Sequence, residues 1–99
     1  MADRQKVITF LNDKLKVYSK TTNNQWYVGI ASDPDDRLFE DHNVSKTKDH
    51  WAYIPADSEI IARSVEKHFL DAGCDGGPGG GGPGSRYVYV YFKSSRTHP

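Results

Sequence analysis

Apolar and polar positions alternate along this chain in two rhythms, and the switch between them divides it into elements. Val7, Ile8, Leu11 and Leu15 recur at helical spacing with lysine, aspartate and asparagine between them. That pattern predicts an amphipathic helix from residue 3 to about 15. Residues 15–20 (LKVYSK) then read as a short strand, Thr21 to Asn24 as a polar turn, and Gln25 to Ile30 as the returning strand of a hairpin. Asp33 offers an N-cap oxygen, Pro34 suits the first helical position, and a helix to about His42 follows, giving Leu38 and Phe39 to the core. Residues 43–49 are polar and read as a loop. Trp51 to Ile54 form the next strand, stopped by Pro55.

Asp57 or Ser58 caps the longest predicted helix, which runs to about Ala72. Ile61, Val65 and Phe69 form the centre of its apolar face, with Ala62, Glu66 and Leu70 in the neighbouring row. From residue 76 to 84 the chain is a glycine and proline run that builds no regular element. It lacks the lysine and Ser/Thr of a P-loop, so it is not a nucleotide site. Tyr87 to Phe92 then alternate cleanly: Val88, Val90 and Phe92 on one side, Tyr87, Tyr89 and Tyr91 on the other. The tyrosine face is expected to lie under a helix, the N-terminal one, and the last residues are expected to fray.

Composition narrows this little. Ninety-nine residues make one domain with a modest core, 36% of them hydrophobic and 26% charged. No apolar run approaches a membrane span, and the N-terminus lacks the apolar core of a signal peptide, so a soluble, cytoplasmic protein is expected. The formal net charge is zero, against the basic footprint expected of strong nucleic-acid binders. The charge is uneven, however. Arg4, Lys6, Lys14, Lys16 and Lys20 sit near the N-terminus, whereas Asp33, Asp35, Asp36, Glu40 and Asp41 surround Arg37. His50, His68, His98 and Cys74 show no zinc-ligand spacing. Glu66 is the unusual carboxylate, placed between Ala62 and Leu70 at the edge of an apolar face, where it must reach solvent or find a partner.

The stretch Tyr27-Val28-Gly29, with Arg37 eight residues after the glycine, resembles the second motif and the helix arginine of GIY-YIG nuclease domains. Lys16-Val17-Tyr18 is similar to the first motif, keeping its tyrosine but not its glycine, and Glu66 falls where the family's helix glutamate lies. The resemblance covers roughly residues 16 to 75. It implies a small α/β domain of α+β type: a mixed or antiparallel sheet of about four strands with three helices, here extended by an N-terminal helix (1–15) and a C-terminal strand (86–93) around a flexible 76–85 loop. It also implies metal-dependent hydrolysis of DNA. Glu66 would hold magnesium or manganese, Arg37 would bind the scissile phosphate, and Tyr18 and Tyr27 would position or activate water. His42 would assist proton transfer, one residue out of step with the family's spacing. No asparagine follows the glutamate helix, where the family usually has one. With the eroded first motif, that leaves a second expectation open: a catalytically inactive module of the same shape that binds nucleic acid or protein.

Overall fold

A computed structural model describes residues 2–16, 23–76 and 84–98. The chain is a small α+β domain in which a three-stranded antiparallel sheet carries helices on one face and an irregular cover on the other. Helix α1 spans Arg4–Leu15. Its N-terminus is capped by Asp3, whose carboxylate accepts from the Lys6 amide at 2.9 Å. Strand β1 is Trp26–Ala31, β2 is Trp51–Pro55 and β3 is Tyr87–Phe92. The order across the sheet is β1-β3-β2, so the last strand enters between the first two. Tyr27 faces Tyr91 and Gly29 faces Tyr89 on one side of β3; Tyr53 faces Tyr89 on the other.

The central place of β3 follows from its side chains. A strand hydrogen-bonded on both edges and covered on both faces exposes almost nothing, and Val88 through Tyr91 are all buried. Val88 and Val90 join Trp26, Val28, Ile30 and Ala52 beneath α1 and helix α2, Glu59–Asp71. Val7, Ile8, Leu11 and Leu15 from α1, with Ala62, Val65 and Phe69 from α2, fill this layer. Each fully buried aliphatic side chain contributes about 1.5–3 kcal/mol relative to exposure, so this is the larger source of stability. The opposite face holds Tyr27, Ala31, Tyr89 and Tyr91, packed with Leu38 and Val44 and flanked by Phe39, Trp51 and Tyr53.

Several sequence expectations need correction. The tyrosines lie under the 36–44 segment, because α1 takes the valine face. Leu15 closes α1 and Lys16 is its C-cap, so neither begins a strand. The rest of the expected first strand, with Tyr18, lies outside the described residues. On β1 the edge away from β3 is met by Asp75, whose amide donates to the Trp26 carbonyl at 2.8 Å and whose carbonyl accepts from the Val28 amide at 2.9 Å. A hairpin partner would need those same groups. Pro55 ends β2 from within rather than stopping it from outside. The C-terminal residues pack instead of fraying: Thr97 is buried, and Arg96 pairs with Asp49. No helix among the described residues is long and apolar enough to cross a membrane.

Candidate active site

Strand β1 brings Tyr27 and Gly29 to the tyrosine face. Gly29 has no side chain to fill its place, and the ring of Tyr89 crosses it from β3. A Cβ on Gly29 would lie 2.4 Å from both Cζ and Oη of Tyr89. Tyr27 packs beside this ring and its neighbour, with centroids 6.4 Å from Tyr89 and 5.1 Å from Tyr91, all nearly parallel.

Beyond β1 the chain turns through Asp33, whose carboxylate accepts from the Asp36 amide at 3.2 Å, as an N-cap should. The expected helix follows, but after Pro34 and Asp35 its winding widens. Residues Asp36–Asp41 close as a π-helical turn, and the His42 amide donates to the Arg37 carbonyl at 2.9 Å, five residues back. One extra residue per turn puts position i+5 where an α-helix would put i+4. Arg37 and His42 therefore project to the same side despite their spacing. Leu38, fully buried between the aromatic rings, anchors the turn.

His42 lies in the middle of the cluster and is 4% exposed. Its Nε2 is 2.8 Å from the Tyr89 hydroxyl, and its Nδ1 is 2.7 Å from the His98 carbonyl and 3.1 Å from the Tyr91 hydroxyl. Burial holds its pKa below the usual histidine value, and the Arg37 charge adds to this; the His98 carbonyl and Asp41 oppose. The imidazole is neutral at pH 7. Burial likewise pushes the Tyr89 phenol up to about 12, although Arg37 pulls it down, and burial pushes Tyr91 higher still. Both remain protonated at neutral pH.

Arg37 spans the cluster and the surface. Burial lowers its pKa, but the Tyr89 hydroxyl, Asp41 and Tyr27 favour the cation and the net shift is upward. Its Nη1 donates to Asp41 at 3.1 Å on the exposed side. Its Nε is buried and finds no hydrogen-bond partner among the described residues, which typically costs about 1–3 kcal/mol.

Glu66 comes from the other side of the sheet edge. Ser58 caps α2 by accepting from the Ile61 amide at 3.2 Å. The helix ends in a left-handed turn, with Gly73 at φ 108°, the Cys74 amide donating to the Phe69 carbonyl and the Gly73 amide to Leu70. This directs the chain straight to Asp75 and fastens the end of α2 to β1. Glu66 is half-buried, and burial raises its pKa against the weaker pull of Arg63. Its charge acts on the Tyr89 phenol, as does that of Arg37. Among the described residues it makes no ion pair and no hydrogen bond.

Of the five residues singled out in the sequence, Tyr27 and His42 thus pack against one phenol, and the charges of Arg37 and Glu66 act on it. Tyr18 lies outside the described residues. Tyr89 and Tyr91 belong to the same cluster, although the sequence favoured a covered sheet face for them over a platform on which bases stack. Their alternation was visible; the glycine opposite Tyr89 was the available hint. Cys74 is buried, its thiol pushed up to about 11, with no catalytic partner among the described residues. No group of three or more His, Cys, Asp and Glu side chains that could hold a metal occurs among the described residues. Comparison with models of protein families, with curated proteins and with solved structures finds no match to this chain in any of the three.

Proposed function

We propose that the chain is a divalent-metal-dependent DNA endonuclease of GIY-YIG type. The observation that carries the reading is that Tyr27, Arg37 and Glu66, from three separate elements, all act electrostatically on the Tyr89 phenol. The π-helical turn adds to it. Closure five residues back sets His42 beside Arg37, where the resemblance expected a histidine or tyrosine four residues on.

In this reading Arg37 binds the scissile phosphate, since a guanidinium offers planar donors to phosphate oxygens and stabilises the charge that builds there. Its exposed bond to Asp41 is a small obstacle, because a surface pair at this spacing contributes only about 0.3–0.5 kcal/mol. Tyr27 orients the attacking water, whose oxygen bonds to phosphorus as the bond to the sugar oxygen breaks; the water's proton leaves to solvent, and the departing oxygen takes one up from solvent. Glu66 suits a hard cation: magnesium needs only one or two carboxylates, the remainder of its shell being water and substrate oxygen. When bound there, magnesium or manganese supplies Lewis-acid polarisation of the phosphate. His42 faces inward with both nitrogens engaged, so it supports the site instead of exchanging protons with DNA.

The test is incubation with branched, single-stranded and duplex DNA in magnesium or manganese. Cleavage by the wild type that Glu66→Ala lacks is expected; no cleavage above that variant on any substrate removes the enzyme reading. A catalytically inactive binding module is the second reading, favoured by the near-complete burial of Tyr27 and Tyr89, 6% and 1% exposed. A module that binds nucleic acid would weaken steeply with salt, whereas one that binds protein need not.

A further inference from the structure

The hydrogen bonds of His42 fix more than its position. The His98 carbonyl is an acceptor only, so Nδ1, 2.7 Å away, carries the proton and donates to it. A neutral imidazole then has a bare Nε2, and the Tyr89 hydroxyl at 2.8 Å must donate into it. With its hydrogen committed, the phenol oxygen keeps its lone pairs for the Arg37 guanidinium, whose charge acts on it. The contact exists only because residue 29 is glycine: any Cβ there would occupy the space of the Tyr89 hydroxyl.

We infer that Tyr89 is a positioning residue, its phenol donating to Nε2 of His42 across Gly29 and so holding an acceptor against the Arg37 guanidinium. The chain of polar groups runs in one direction, from Arg37 to the Tyr89 oxygen, from the Tyr89 hydrogen to Nε2, and from Nδ1–H to the His98 carbonyl. A guanidinium held on one edge by a neutral phenol keeps its full charge and loses the freedom to swing toward the carboxylates of its own turn. Every element around the imidazole contributes a group that bears on this arrangement: Arg37 and Asp41 from the π-helical turn, Tyr27 from β1, Tyr89 and Tyr91 from β3, and His98 from the C-terminal segment. The catalytic consequence rests on the hydrolase reading: an Arg37 fixed in advance serves the transition state without reorganising. The hydrogen-bond pattern does not rest on it.

The experiment compares the wild type with Tyr89→Phe, which keeps the ring and removes only the hydroxyl. In the wild type, long-range proton–nitrogen spectra of labelled histidine are expected to show His42 with Nδ1 protonated and Nε2 as a hydrogen-bonded acceptor. A protonated Nε2 there overturns the inference without any variant, so a failure of Tyr89→Phe to fold leaves it testable. In Tyr89→Phe the Nε2 signal should move to that of a free nitrogen and the His42 pKa should rise, since the neutral form has lost its donor. Exchange of the Arg37 Nε proton should quicken roughly tenfold, and kcat on whichever DNA the wild type cleaves should fall roughly 10- to 100-fold with KM little changed. Tyr87→Phe, on the same strand but outside the cluster, should do none of this. Unchanged His42 and Arg37 signals in Tyr89→Phe overturn the inference, because a merely space-filling ring would give that result. If the wild type cleaves no DNA, the hydrolase reading falls and the two spectroscopic signals decide this one alone.

Discussion

Glu66 is held by its helix where burial works against its charge, and its protonation equilibrium makes that measurable. Its folded-state pKa is raised above 4.5, chiefly by desolvation. Below about that pH both folded and unfolded chains carry the proton and the group costs nothing. As pH rises toward the folded-state pKa, the unfolded chain releases its proton first and stability is lost. Glu66→Gln should therefore raise the free energy of urea unfolding at pH 7, and the gain should shrink toward pH 4. A carboxylate retained where it weakens the fold is the trade expected of a functional group; an equal effect at both pH values would remove this account. At this scale the sequence singled out Tyr27, Arg37 and Glu66 as candidates, because a motif spacing and an amphipathic wheel can be counted along one line. Tyr89 was beyond its reach as a site residue. Its role depends on which residue stands opposite, and that register joins Gly29 to Tyr89, sixty positions on.

Two caps of the same kind hold elements of different importance to the site. Asp33 accepts from the Asp36 amide and starts the turn that carries Arg37; Ser58 accepts from the Ile61 amide and starts α2. Removing either oxygen should cost about 0.5–2 kcal/mol in unfolding free energy. Asp33→Ala should also loosen Arg37, quickening exchange of its Nε proton, while Ser58→Ala should leave that proton as it is. Equal effects on Arg37 would show that the turn does not place it. The helices and strands themselves were legible, since α1, α2, β2 and β3 each repeat one period over enough residues to declare it. The π-helical closure was not, because six residues with one buried leucine fit an α-helix equally well. The neighbour on the outer edge of β1 was illegible for a related reason. Trp26 to Ala31 announce a strand, but nothing in them says that Asp75 will take the edge that a neighbouring segment was expected to fill.

The whole molecule meets at His42, where the π-helical turn, two strands and the C-terminal segment converge. Its pKa lies below 6.5, chiefly through burial. As pH falls from about 6.5 toward the folded-state value, the unfolded chain takes up a proton that the folded chain refuses, and stability declines. Unfolding free energy should therefore drop across that interval, and His42→Gln, though less stable throughout, should lose that part of the slope. A slope unchanged in the variant would assign the acid sensitivity elsewhere. This global arrangement was the least readable part of the sequence. Local patterns named the strands but not their order, and a polar tail after a last strand carries no sign that it will fold back. It does so because Asp49 receives Ser94 and Arg96, Asn43 donates to the Arg96 carbonyl, and the His98 amide donates to the His42 carbonyl. The imidazole thus takes its bearing from a carbonyl 56 positions along the chain. A dye or surface tether attached beside His98 pulls on the lever that aims it. The molecule is better gripped elsewhere, for instance at Ile60, which stands in solvent.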